Sequence, residues 1–248
     1  MTASLTGRTA LVTGSTDGIG AAIARTLADA GAHVVVSGRD TARGEKVVAG
    51  IAERGGSATF VRADLAEGGP AVRALAAAAG PVDILVNNAA MLITPAPTAD
   101  VDEELIDRAL AINVKAAFLL TGAIAPAMAA RGGGAIVNMG SVNGLGGTAR
   151  SALYSVTKAA IHSLTMSFAD EYAPVGVRVN TVAPGPTMTD KVIGMGEHIT
   201  AMVARFPSRR ASTPDEVAKA VLFLAGDDAA NIHGATLSVD GGAAAMAV

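Results

Sequence analysis

Short apolar runs rich in β-branched residues recur along the chain at 9–13, 34–37, 58–63, 84–87, 135–139, 177–182 and 235–239, and longer stretches rich in Ala and Leu lie between them. The runs are bounded by turn residues and show no clean two-residue alternation. That suits strands covered on both faces, because a strand with only one buried face alternates apolar with polar. Strand alternating with helix predicts an α/β fold: one doubly wound (Rossmann) parallel sheet of about seven strands with helices on both faces. No linker or internal repeat divides residues 1–248, so a single domain is expected. The stretch from 187 to about 213 differs from the rest. It carries Gly194, Gly196 and Pro207, scattered Met and no clear strand, and is expected to form a lid with short helices.

The first predicted strand runs directly into Gly14, Ser15, Thr16, Asp17, Gly18, Ile19 and Gly20, and a helical stretch follows. Glycines at this junction let the backbone turn tightly and approach a pyrophosphate, to which the helix N-terminus presents unpaired N–H groups. The second strand ends at Ser37 and Gly38 with Arg39 after it. A carboxylate there would bind a ribose 2′-hydroxyl, whereas an arginine suits a 2′-phosphate. NADP(H) is therefore favoured over NAD(H), with Asp17 and Asp40 as opposing negative charges.

Composition narrows the chemistry. The chain has 248 residues, half of them hydrophobic, with a net charge of −3 and no basic run, which gives nucleic acid or an anionic membrane no attraction. The absence of cysteine removes disulfides and thiol nucleophiles, and His33, His162, His198 and His233 lack ligand spacing, so no metal site is expected. The longest mostly apolar stretch, Ala116–Ala130, is short of a membrane span. With no signal-peptide pattern at the start, a cytoplasmic protein acting on small molecules is expected.

Tyr154 precedes Lys158 by four residues in a stretch that reads as helix, which places both side chains on one face. A phenol beside an ammonium is expected to ionise below its ordinary pKa of about 10, which makes Tyr154 a candidate general acid/base. His162, on the same predicted helix, reads as a packing or interface histidine and not as a base.

Taken with Asp64 after the third strand, Asn87, Asn88 and Ala89 after the fourth, Asn113 in the next helix, Ser141 after the fifth, and Pro184 and Gly185 after the sixth, these motifs resemble the short-chain dehydrogenase/reductase family over essentially the whole chain. The resemblance implies hydride transfer between a nicotinamide cofactor and a ketone or secondary alcohol. Asn113, Ser141, Tyr154 and Lys158 would form the catalytic tetrad. Ser141 would orient the reacting oxygen, Lys158 would bind the nicotinamide ribose and lower the Tyr154 pKa, and Asn113 would help hold a relay water. Asp64 and Leu65 would flank the adenine, Asn87 and Ala89 would line the cofactor cleft, and Pro184, Gly185, Thr187 and Thr189 would meet the nicotinamide end. The family's usual Asn-Asn-Ala-Gly appears here with Ala90 last.

The substrate would lie among 91–94, 142–145, Arg150 and 187–206, with Met188, Met195 and Met202 adaptable to different shapes, which suggests a hydrophobic ketone or alcohol. Among relatives the chain looks like 3-oxoacyl-acyl-carrier-protein reductases and sugar, polyol and steroid dehydrogenases. Ser151 stands where those reductases often carry Gln. A non-catalytic nucleotide sensor on this fold would have lost Tyr or Lys, and neither is missing. The predicted helices at 105–130 and 153–173 are apolar on more than one face, as in relatives that form homotetramers.

Overall fold

The computed structural model describes residues 4–193 and 197–246. Gly194, Met195 and Gly196 of the expected lid lie outside the described residues. Seven parallel strands form one sheet in the order β3-β2-β1-β4-β5-β6-β7: β1 Thr9–Thr13, β2 His33–Gly38, β3 Ser57–Arg62, β4 Ile84–Asn87, β5 Gly134–Met139, β6 Val177–Pro184 and β7 Thr236–Val239. The helices are α1 Gly18–Asp29, α2 Thr41–Glu53, α3 Gly69–Ala79, α4 Glu103–Leu110, α5 Ala116–Ala130, α6 Ala152–Tyr172, α7 Asp190–Ile193, α8 Glu197–Val203 and α9 Pro214–Ala225.

Successive strand residues feed two separate cores. Ala10, Val12, Ile84, Val86 and Val137 pack with Ile23 and Leu27 of α1 and Val221 and Leu224 of α9, whereas Leu11, Leu85, Ile136 and Val179 pack with Leu75 of α3, Leu120 and Met128 of α5 and Phe168 of α6. Neighbouring side chains point to opposite faces, so apolar burial on both sides demands the unbroken apolar runs seen in the sequence. Only the edges alternate. Ser57, Thr59 and Arg62 of β3, and Thr236 and Ser238 of β7, are exposed, and polar side chains there discourage edge-to-edge pairing.

The strand order reverses at β1, which pairs with both β2 and β4. Loops leaving β1 and β4 diverge to opposite sides of the sheet, and a crevice opens between them at the carboxyl ends. The stretch Ala116–Ala130 proves to be the end of a longer helix. α4, a π-helical turn at Ala111–Lys115 and α5 join into the run Glu103–Ala130, whose 28 residues would by length and hydropathy suffice to cross a membrane. Here the run lies along the sheet, with Leu120, Ile124, Ala125 and Met128 in the core.

Between β6 and α9 the chain makes the excursion read as a lid. Thr187 and Ser212 form a parallel bridge at its base, with Ser212 N donating to Pro186 O at 3.0 Å and Met188 N to Ser212 O at 2.8 Å. Ile199, Val203 and Ala211 form a small core of their own, flanked by Val192 and Phe206.

Candidate active site

The glycine loop is shaped by close approach. Gly14 has φ +62°, and a Cβ there would stand 2.8 Å from Ala89 Cα; a Cβ on Gly20 would overlap the Gly14 carbonyl. Asn88 donates from Nδ2 to Thr13 O at 2.8 Å and Gly14 O at 3.0 Å, and Thr13 Oγ1 accepts from the backbone of Asn88 and Ala89 at 3.0 Å each. The ends of β1 and β4 are thus stitched together beneath the crevice. Asp17 caps α1 by accepting from Gly18 N at 2.6 Å. Ser15 is buried, donates to Val12 O at 2.6 Å and accepts from Ser37 N at 2.9 Å, which ties the loop to β2; Ile19 packs on the core.

The crevice has a volume of about 820 Å³ and is lined by Gly14, Thr16, Asp17 and Gly18 on one wall and Asn88, Ala89, Ala90 and Met91 on another. Ser37, Gly38, Arg39, Asp64 and Leu65 line the end beyond β2 and β3, and Thr189 closes over the loop, with its methyl 3.3 Å from where a Gly18 Cβ would stand. Glycines without room for Cβ, a helix N-terminus and a polar-lined crevice fit a dinucleotide. Asp64 also accepts from Ala66 N at 3.0 Å, so one of its oxygens holds the turn after β3. Pro184 is buried at the end of β6, and Thr187 donates to Gly185 O at 3.0 Å.

One expected lining residue is corrected. Asn87 does not reach the crevice: its side chain is buried in the sheet and donates to Asn138 Oδ1 at 2.8 Å and Thr121 Oγ1 at 3.2 Å. Asn87 and Asn138 are register partners, so the two amides meet across adjacent strands. Asn88 lines the crevice in its place. Arg43 was not singled out from sequence, yet it lines the crevice beside Arg39 and pairs with Asp17 at 3.3 Å and Asp40 at 3.4 Å. The signal available was a cation in the first turn of the helix that follows β2.

Ser141 lies two residues beyond the end of β5, in extended backbone, and its Oγ accepts from Asn143 N at 3.2 Å. A hydroxyl that accepts there keeps its own hydrogen available to donate. Tyr154 and Lys158 occupy successive turns of α6, with Lys158 Nζ 5.7 Å from the phenol ring centroid. Lys158 is buried and donates to Met139 O at 2.8 Å. Burial lowers its pKa to about 8. Asn113 sits in the π-helical turn, a feature that often marks functional sites. Its Oδ1 accepts from Met91 N at 2.6 Å, and its Nδ2 donates to Met91 O at 3.1 Å and Thr157 Oγ1 at 3.3 Å. The amide therefore braces the crevice wall at Met91 against α6, and both its N–H donors are committed to protein groups.

The expected depression of the Tyr154 pKa is not seen. Burial raises it above 10, and the Ser141 hydroxyl opposes that shift only in part. Spacing alone placed an ammonium beside the phenol but could not show that Lys158 is buried and the phenol largely withdrawn from water, which favours its neutral form.

The profile described as "Enoyl-(Acyl carrier protein) reductase" matches residues 14–244. Cis-4-hydroxycyclohexanecarboxylate dehydrogenase of Sinomonas cyclohexanicum is 41% identical over 96% of this chain and 97% of its own. Among solved structures, a putative NAD(P)-dependent gluconate 5-dehydrogenase from Beutenbergia cavernae with bound NADP aligns at TM-score 0.91 and 41% identity, covering 96% of this chain and 97% of that one. A 7α-hydroxysteroid dehydrogenase complexed with NADH and 7-oxo glycochenodeoxycholic acid aligns at TM-score 0.91 and 36% identity, over 96% and 95%. The chain belongs to the short-chain dehydrogenase/reductase family. It is an oxidoreductase of that family with an NAD(P)-type cofactor.

Proposed function

We propose that the protein interconverts an apolar ketone and its secondary alcohol, using Tyr154 as general acid or base and NADP(H) in preference to NAD(H). The observation that carries this reading is the convergence of Ser141, Tyr154 and Lys158 at the end of β5 and on α6, braced through Asn113 to the wall of a glycine-lined crevice. The bound nicotinamide supplies or accepts the hydride. The chain's own residues handle the proton and the oxygen. Tyr154, kept neutral by burial, donates its proton to the carbonyl oxygen in reduction and takes the hydroxyl proton in oxidation. Ser141 donates to the same oxygen and orients it. Lys158 has one of its three N–H donors on Met139 O, which leaves two for ribose hydroxyls.

On the cofactor side, the loop at 14–20 and the N-terminus of α1 hold the pyrophosphate, Asp64 and Leu65 flank the adenine, and Gly185, Thr187 and Thr189 approach the nicotinamide end, with Pro184 supporting them. Arg39 and Arg43 face the 2′-position. The objection raised by Asp17 and Asp40 is answered by Arg43, which is paired with both and partly neutralises them. Arg39→Ala and Arg43→Ala should each narrow the NADPH-over-NADH preference by about tenfold, as befits loss of one charge-assisted contact to phosphate. Fluorescence titration with both cofactors measures it, and an unchanged ratio in both variants removes the argument for NADP.

Substrate enters beside Tyr154, where Ile93, Ile106, Leu110 and Val156 wall a pocket of about 280 Å³ that Arg150 also lines. Turnover of cyclic and open-chain ketones, with and without a carboxylate, followed by nicotinamide absorbance, tests both the apolar walls and Arg150. Preference for small polar polyols would contradict the reading.

The assembly we propose is a homotetramer. Phe118 on α5 and Met166 on α6 are exposed apolar side chains on one pair of helices; Phe223 on α9 and Met246 beyond β7 mark a second exposed apolar region. Two distinct self-complementary faces generate a tetramer with D2 symmetry. Light scattering at micromolar concentration should return four chain masses, and Phe118→Lys should reduce the mass to two; a monomeric wild type rules this out.

A further inference from the structure

α6 sends two buried side chains, one turn apart, back to the strand end that carries Ser141. Lys158 Nζ donates to Met139 O, and His162 Nε2 lies 3.0 Å from Ser141 O. A carbonyl oxygen only accepts, so Nε2 carries a hydrogen. In the neutral ring Nδ1 is then the acceptor for the Thr236 hydroxyl, 3.2 Å away on β7. Both ring nitrogens are engaged, and one tautomer satisfies both partners.

The ring's seat is built from missing side chains. A Cβ on Gly140 would stand 2.6 Å from its Cε1, and one on Gly144 would stand 2.7 Å from its Cδ2. Glycines on both sides of Ser141 therefore form a slot that the imidazole fills. His162 as a whole is 8% exposed. Burial holds it below its ordinary pKa, the Lys158 charge adds to that, and the bond to the Ser141 carbonyl opposes it. Ser141 O also accepts from Gly144 N at 2.9 Å, so both of its lone pairs are used. Fixing the carbonyl fixes the rotation of the Ser141 backbone, and with it the direction of the Cα–Cβ bond.

We infer that His162 is a positioning residue: anchored on Thr236, its Nε2–H clamps the Ser141 carbonyl and so aims the Ser141 hydroxyl at the reacting oxygen. It touches neither substrate nor cofactor and exchanges no proton. The inference rests on the role of Ser141 proposed above.

Two near-isosteres separate this from simple packing. Gln at 162 places an amide N–H where Nε2 stands; Asn reaches only the Nδ1 position, toward Thr236. Steady-state kcat and KM, with cofactor dissociation constants, are to be measured for His162→Gln, His162→Asn and His162→Ala, each with Ser141 intact and in a Ser141→Ala background. With Ser141 intact, Asn and Ala should lower kcat about tenfold or more while cofactor affinity stays within about threefold, and Gln should retain most of the turnover. In the Ser141→Ala background the Asn and Ala changes should cost less than about threefold, since no hydroxyl remains to be misdirected.

Equal turnover in the Asn and Gln variants, or equal losses in the two backgrounds, overturns the positioning role. Gln and Asn differ by one methylene, so their comparison survives even where Ala does not fold. Wild-type kcat in Ser141→Ala overturns the reading of Ser141 and this inference together. A slow Ser141→Ala beside a His162→Asn of wild-type turnover overturns the inference alone.

Discussion

Tyr154→Phe should bind the reduced cofactor within about threefold of wild type and turn over two to four orders of magnitude more slowly, the usual worth of a positioned general acid or base. Phe keeps the ring that lies near Lys158 and removes only the hydroxyl beside Ser141. The packing of α6 therefore stands, and the loss is one of chemistry. The direction of the Tyr154 shift adds a sign. A phenol raised above 10 is protonated at neutral pH, so carbonyl reduction should hold up through neutrality and weaken at alkaline pH, while alcohol oxidation should rise with pH as the phenol ionises. Pre-steady-state kinetics with a chromogenic ketone, run against pH, measures both. A Phe variant with wild-type turnover would falsify the acid/base role.

Gly20→Ala should lose cofactor affinity by at least about tenfold and lower the melting temperature by several degrees. The added methyl would overlap the Gly14 carbonyl and stand 2.5 Å from Asn88 Nδ2, so α1 must move away from the loop it orients. Overpacking of this kind costs about 1–3 kcal/mol. Gly50, inside α2, is the control: nothing lies within 4 Å of a Cβ there. Gly50→Ala should stabilise by about 0.5–1 kcal/mol, as expected for Gly to Ala in a helix interior. The same change thus takes opposite signs at two helical sites, as urea denaturation with and without cofactor will reveal. Wild-type cofactor affinity in Gly20→Ala would mean that the loop does not approach the ligand as read.

The strands were legible to within a residue or two because burial on both faces demands nearly unbroken apolar runs, as in 84–86 and 135–137. The glycine loop and the Tyr154–Lys158 pair were legible for a similar reason, since close backbone approach and helical spacing constrain residue identity directly. The misses share a cause as well. That Asn87 faces the sheet while Asn88 faces the crevice depends on where β4 ends, and a shift of one residue exchanges the two. The π-helical turn at Asn113 leaves no mark in hydrophobic spacing. Arg43 acquires meaning only once Asp17 and Asp40 are seen to share it, and the Tyr154 shift depends on solvent exclusion, which no spacing reports.

The bridge between Thr187 and Ser212 has a consequence for how such a protein diversifies. Both ends of the excursion are joined at one point on the rim of the sheet, and the segment carries its own small core. Lengthening, shortening or exchanging residues between those two positions is expected to leave strand register and the seat of Tyr154 in place. The segment can therefore vary in length and sequence as a unit of its own, apart from the sheet that carries it.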